Sequence, residues 1–277
     1  MTGWMAGACF VACVAGAAEF NTLTSRETAE GWKRLFDGKT LDAWKGLAKP
    51  EIGAGWKAVD GTLTIDKASK SGDIVTKDRF GDFELVFEFR LTKGANSGLK
   101  YFIDPSRAQG GHGVGCEFQV LDDDNHPDAK LGLDGNRTVG SLYDVLPAAK
   151  DKTVNPIGEW NSARLVVRGR HVEHWLNGAK VVDYERGSEA WRAAVAKSKF
   201  SKIAGFGEWP DGHLLLQDHN DEVSYQTSDA ARYALENIPG PEVDSVLQSA
   251  LSKLSGRTRD GLAGTIAARA AFGGGEA

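Results

Sequence analysis

Between Cys116 and Asp128 the chain reads CEFQVLDDDNHPD, the stretch richest in residues able to do chemistry. Strand alternation turns Cys116, Phe118 and Val120 one way and Glu117 and Gln119 the other. Leu121 interrupts the polar side, and Asp122, Asp123, Asp124, Asn125, His126 and Pro127 follow at once. A carboxylate, an amide and an imidazole delivered to one strand end suit general acid–base work. They equally suit an oxygen-rich ligand set, with a divalent cation on the Asp122–His126 loop, although no EF-hand pattern is present. A half-exposed strand running into a solvated acidic turn fits the same residues. Pro127 biases His126 toward extended backbone, which fixes where its imidazole hangs.

Two further segments carry groups of the same kind. GNRTVGSLYD (135–144) supplies Arg137, Tyr143 and Asp144 inside a glycine-bounded loop. An arginine forks onto a hydroxyl pair or a carboxylate, and a tyrosine donates to a developing alkoxide; pinning of the loop is the alternative for both. LLLQDHNDEVSY (214–225) ends an apolar run with Gln217 and His219 on one side, opposite Leu216 and Asp218. In ANSGLKYF (95–102), Lys100 alternates against Leu99 and Tyr101, with Ile103 continuing their side. His174 and Trp175 lie in HVEHWLNG (171–178), where His174 could also be a satisfied surface histidine. Glu88 reads as a member of a cross-strand ion pair and Cys116 as a small core residue.

The elements that must position these groups are short strands. Asp60-Gly61 between WKAV and TLTI, and Asn177-Gly178 between HVEHWL and AKVVDY, are hairpin signals. Along 83–91, Phe83, Leu85, Phe87, Phe89 and Leu91 share one face and Glu84, Val86, Glu88 and Arg90 the other. Turn residues at regular spacing make 33–226 an all-β unit. From Thr227 onward Ala, Leu, Ser and Arg dominate, with Val243, Leu247, Ala250, Leu251 and Leu254 at helical spacing. That tail, 227–277, resembles a fragment of HEAT-type repeats, too short to build a solenoid. At the other end, 4–18 is an apolar run with a small-residue pattern at Ala15-Gly16-Ala17. It is too short for a membrane-spanning helix and fits a secretory leader, residues 1–18, followed by an arm over 19–32. Cleavage near Ala17 would place the protein in the periplasm or outside the cell. It would leave Cys116 alone, with no internal disulfide.

Composition removes several classes. A net charge of −5 without a long basic run argues against nucleic acid and anionic membrane surfaces as partners. At 41% hydrophobic and 26% charged residues the chain folds rather than staying disordered. No nucleotide-binding glycine motif, zinc-type Cys/His spacing or nucleophile elbow occurs.

These segments, with LFDGKTLDAWKG (35–46), WKAVDGTLTI (56–65), DFELVFEFRL (82–91), GEWNSARLVVRG (158–169) and HVEHWLNGAKVVDYERGS (171–188), resemble the DUF1080 family, the 3-keto-disaccharide hydrolase domain, in order over about 32–226. The resemblance implies a concanavalin-A-like jelly-roll β-sandwich, to which the short helical appendage is added. It also implies an oligosaccharide or glycoside substrate. A sugar oxidised at C3 has an acidified C2 proton, so a base at C2 and an acid at the glycosidic oxygen expel the aglycone, and water then adds back. That route differs from the two-carboxylate glycosidases. Glu117, His126, Lys100, Tyr143 and His219 are the catalytic candidates it suggests. Gln119, Asp122, Arg137, Asp144, His174, Trp175, Gln217 and Asp218 are those for holding substrate. A non-catalytic carbohydrate-binding module would use the same sheet face, with an aromatic platform such as Trp175 or Trp209 in place of His and Glu. A protein-interaction module is the third reading, favoured only if the tail covers that face.

Overall fold

A computed structural model describes residues 21–23 and 31–226. The leader, the arm apart from 21–23 and 31–32, and the helical tail lie outside the described residues. Twelve strands form two antiparallel sheets packed face to face. In chain order they are β1 (Trp44–Gly46), β2 (Trp56–Val59), β3 (Thr62–Ile65), β4 (Ile74–Thr76), β5 (Phe83–Leu91) and β6 (Asn96–Ile103), then β7 (Cys116–Leu121), β8 (Trp160–Arg168), β9 (His171–Leu176), β10 (Ala179–Glu185), β11 (His213–Leu216) and β12 (Val223–Gln226). One sheet has the order β1-β4-β11-β6-β7 and the other β10-β9-β8-β5-β12-β3-β2. Strands far apart in sequence are neighbours in space, as in a jelly roll.

The apolar sides of both sheets meet in one core. Phe87 from β5 and Phe118 from β7 touch edge to face across the sandwich, with ring centroids 5.6 Å apart. Both hairpin signals are realised: Asp60-Gly61 and Asn177-Gly178 each hold two successive residues at positive φ, the conformation that fits the strand twist. Glu88, expected in a cross-strand ion pair on a solvated face, is buried and accepts a hydrogen bond from Gln226 at 2.7 Å.

Strict alternation fails at the end of β6. Ile103 does not share the side of Leu99 and Tyr101. It packs with Leu47, Val75 and Leu215 on the outer face of the five-stranded sheet, while Phe102 joins the main core. The cause is a bulge: Phe102 has φ 60°, and the β11–β6 register slips between His213 and Leu215. Helix α1 (Glu189–Ala196), capped by the Ser188 side chain and anchored by buried Trp191, holds the loop that follows it. Ser188 before EAWRAAVA is the N-cap signal for this helix in the sequence. Among the described residues, no helix is long and apolar enough to cross a membrane.

Candidate active site

The outer face of the five-stranded sheet carries a cavity of about 300 Å³, and its floor is set by β6 and β7. Register pairs Lys100 with Glu117 and Gly98 with Gln119, so a lysine, a glutamate and a glutamine stand side by side facing outward. Gly98 is required there: a Cβ at that position would collide with the Glu117 carboxylate, which lies across it. Lys100 Nζ sits 3.8 Å from Glu117 Oε2 and donates to the Gly113 carbonyl at 3.4 Å. Burial pushes the Glu117 carboxyl above the usual range, against the pull of the Lys100 and Lys199 charges. A buried carboxylate held this way is poised to take up a proton nearer neutrality than a surface glutamate. Gln119 donates to Asn96 Oδ1 at 3.5 Å, and its own Oε1 is buried without a hydrogen-bond partner, an acceptor open to a hydroxyl in the cavity.

Loops build the walls. The segment 140–143 pairs with β7 through Gly140 N–H to Gln119 O (2.9 Å), Gln119 N–H to Ser141 O (3.1 Å) and Tyr143 N–H to Glu117 O (3.0 Å). That pairing sets Tyr143 next to Glu117. The Tyr143 hydroxyl donates to Asp128 Oδ2 at 2.8 Å, and Arg137 bridges Asp128 (2.7 Å) and Asp144 (2.6 Å). Burial and the Asp128 carboxylate push the Tyr143 hydroxyl far above the ordinary phenol range, so it is a donor throughout physiological pH. Gln217 is bound to β6 through its backbone: its N–H donates to Gly98 O at 3.1 Å and its carbonyl accepts from Ser97 Oγ at 2.7 Å. His219 lines the rim, and the His126 ring stands edge-on to it at 5.7 Å.

Lys100, Glu117, Gln119, Tyr143, Gln217 and His219 therefore come together at one cavity, with His126 beside it. The other candidates do not line it. The Asp122 carboxylate accepts from Gly94 N (2.7 Å), Asp124 N (3.2 Å) and both nitrogens of Asn125, which closes its turn. Among the described residues the Asp122 carboxylate is not gathered with the His126 imidazole in a preformed ligand cluster. Arg137 and Asp144 pin the loop, and Asp144 also accepts from Lys199 N at 2.7 Å. Asp218 accepts from Gly72 N and Asn220 N, each at 2.9 Å, tying the His219 loop to the start of β4. His174 is fully buried between the sheets, bonded to the Tyr101 hydroxyl (2.8 Å) and the Gly140 carbonyl (2.9 Å). Burial lowers its pKa to about 4, so it is a neutral core residue, neither a surface nor a cavity histidine. Trp175 lies on the seven-stranded sheet under Arg164, 5.3 Å from its ring centre, and Trp209 is covered by Arg107 at 4.3 Å. Neither tryptophan lines the cavity.

Three polar lining groups have no counterpart among the sequence candidates, Asn96, His112 and Lys199, and the carboxylate of Asp73 lies next to His112 without lining the cavity. His112 Nδ1 lies 3.8 Å from Asp73 Oδ2, whose side chain is almost wholly buried. Burial raises the Asp73 carboxyl, with the Lys100 charge opposing it. A histidine standing alone in Gly110-Gly111-His112-Gly113 was the available signal, since glycines let a loop approach a site closely. Lys199 carries no such mark; its ammonium stacks 4.2 Å over the Tyr143 ring only because α1 sets the loop there.

The fold and site together are an antiparallel β-sandwich with a polar, titratable cavity on the outer face of one sheet, the kind of concave polar site that takes a small ligand. Residues 31–228 match the 3-keto-alpha-glucoside-1,2-lyase-like domain, and the chain belongs to that family. It is 34% identical over 240 residues to a 3-keto-disaccharide hydrolase of Bacteroides thetaiotaomicron, covering 76% of this chain and 81% of that protein. A crystal structure of a candidate glycosyl hydrolase from Parabacteroides distasonis superposes with a TM-score of 0.67 at 32% identity, covering 75% of this chain and 96% of the other.

Proposed function

We propose that the protein is a carbohydrate-acting hydrolase that cleaves 3-keto-glycosides. The observation that carries this is the buried Lys100–Glu117 pair on the cavity floor, with His112 and His219 among the lining side chains and neither Trp175 nor Trp209 there. A binding module would present tryptophan faces, and both candidate tryptophans lie elsewhere. In this reading Glu117 removes the C2 proton. The electron pair delocalises onto the C3 ketone as an enolate, which the Lys100 ammonium stabilises. The enolate collapses to form the C1–C2 double bond, the glycosidic C1–O bond breaks, and the departing oxygen takes a proton from His112, the lining histidine outside the His126–His219 pair. Water then adds across the double bond, giving net hydrolysis. The Tyr143 hydroxyl, kept protonated, and Gln119 Oε1 orient sugar oxygens. The apolar leader adds a proposed site of action in the periplasm or outside the cell.

The test is release of the aglycone from a 3-keto-glycoside, with the parent glycoside as control. Release from the keto substrate alone, lost in Glu117→Gln, is the expected result. A folded protein that binds the keto-glycoside and never releases its aglycone would refute the reading in favour of a binding module.

A further inference from the structure

Where His219 lines the cavity, two further metal-ligating side chains gather beside it, His126 from a separate loop and Asp221 from its own. One ligand atom each from His126, His219 and Asp221 lie within 4.8 Å of one another. We propose that these three residues form a divalent-cation site of the two-histidine, one-carboxylate kind at the mouth of the cavity.

Charge distinguishes this cluster from its one counterpart among the described residues, His171, Glu173 and Asp183. There the Lys180 ammonium already sits 3.2 Å from Glu173 and in contact with Asp183, so a cation is supplied by the chain itself. At Asp221 no lysine or arginine comes within ion-pair distance among the described residues; its contacts are His219 Nδ1 at 4.0 Å and the Asn96 N–H at 3.1 Å. That N–H bonds Asp221 Oδ2, the oxygen nearest His219, and fixes the carboxylate as outer hydrogen bonds do for metal-binding carboxylates. Ligands on a tetrahedron with bonds of about 2.1 Å stand roughly 3.4 Å apart, so the three groups must close slightly. His219 is exposed and turns without disturbing packing. His126 Nδ1 accepts a 3.2 Å hydrogen bond from Asp128 N–H, so a cation must displace that long bond or turn the ring over. Two nitrogens and one oxygen suit zinc, manganese or cobalt better than calcium or magnesium.

Three protein ligands leave positions open toward the cavity, which His219 also lines. A ketone oxygen and its neighbouring hydroxyl could fill them as a chelate. That use rests on the function proposed above; the existence of the site does not.

The untagged full chain, stripped with chelator and dialysed, is titrated by calorimetry with Mn²⁺ or Zn²⁺ alone. We expect one site per chain. Affinity should fall at least about 100-fold in His219→Ala and in Asp221→Asn, and stay unchanged in His171→Ala, with circular dichroism confirming the fold of each variant. Absence of binding, binding equal in wild type and both rim variants, or loss in His171→Ala instead would overturn the site. If the cation binds as stated and no aglycone is released from a 3-keto-glycoside, the functional reading fails and the site stands.

Discussion

Replacing Gly98 by alanine tests the cavity floor without removing any functional group. Gly98 has no positive φ, so alanine fits its backbone. Its methyl, however, would lie 2.8 Å from Glu117 Cδ and 3.0 Å from Cγ, and closer still to Oε1. Ordinary carbon contacts begin near 3.5 Å, so the carboxylate carbon must retreat by about 0.7 Å and its Oε1 by more than about 1 Å. A displacement of that size at a reacting group costs on the order of 10²-fold in rate. Overpacking at a single methyl costs about 1–3 kcal/mol, and the melting temperature should drop by roughly 2–4 °C for each of those kcal/mol. Steady-state aglycone release, with a melting curve on the same preparation, separates the two effects. A folded Gly98→Ala protein with kcat within twofold of wild type would refute the claim that the position of Glu117 governs turnover.

Glu117→Gln should lower turnover by about 10²–10⁴-fold while changing the affinity for an unreactive sugar much less, since the loss falls on proton transfer. Because burial raises the Glu117 carboxyl, the folded state holds a proton that the unfolded state releases, so this group's contribution to stability is present at low pH and is lost as pH rises through its folded pKa. Activity should run the other way, and melting temperatures of wild type and Glu117→Gln against pH should converge on the acid side. His174→Ala should cost roughly 2–5 kcal/mol by leaving a cavity and two unpaired partners, with full activity in whatever remains folded, measured by urea denaturation. Burial pushes the Cys116 thiol up to about 12, so peptide mapping after iodoacetamide at pH 8 should find Cys116 unmodified in the folded protein and alkylated in urea.

Much of the site was legible because period-two alternation is local. Glu117 and Gln119 on one side and Phe118 on the other needed nothing beyond the order of residues. Lys100 was placed by the same rule, whereas Ile103, three residues on, was misplaced because a bulge at Phe102 reverses the sides. Side chains whose position depends on what approaches them from afar were not readable. The Asp122 carboxylate accepts from Gly94 and Asn125 donors, and His174, a substrate-binding candidate by sequence, is enclosed between the sheets against Tyr101 and Tyr184. Asp73 reaches the site only because β4 lies beside β11 in the sheet, a pairing that joins residues about 140 positions apart. Arg137 and Asp144 carry the residue types of sugar-binding groups, with pinning of the loop as the alternative for Arg137. Whether they bind sugar or each other was decided by their distance.

The segment 140–143 does more than bring Tyr143 to the cavity. β7 is the last strand of its sheet, and an uncovered edge strand offers its backbone to any passing chain. Hydrogen bonds from 140–143 occupy that edge at Glu117 and Gln119, the two residues whose side chains face the cavity. Guarding against strand-to-strand aggregation and holding the cavity wall are thus one piece of backbone. Shortening this loop would be expected to cost solubility and turnover together, so the loop has little freedom to drift in length even where its side chains touch nothing in the cavity.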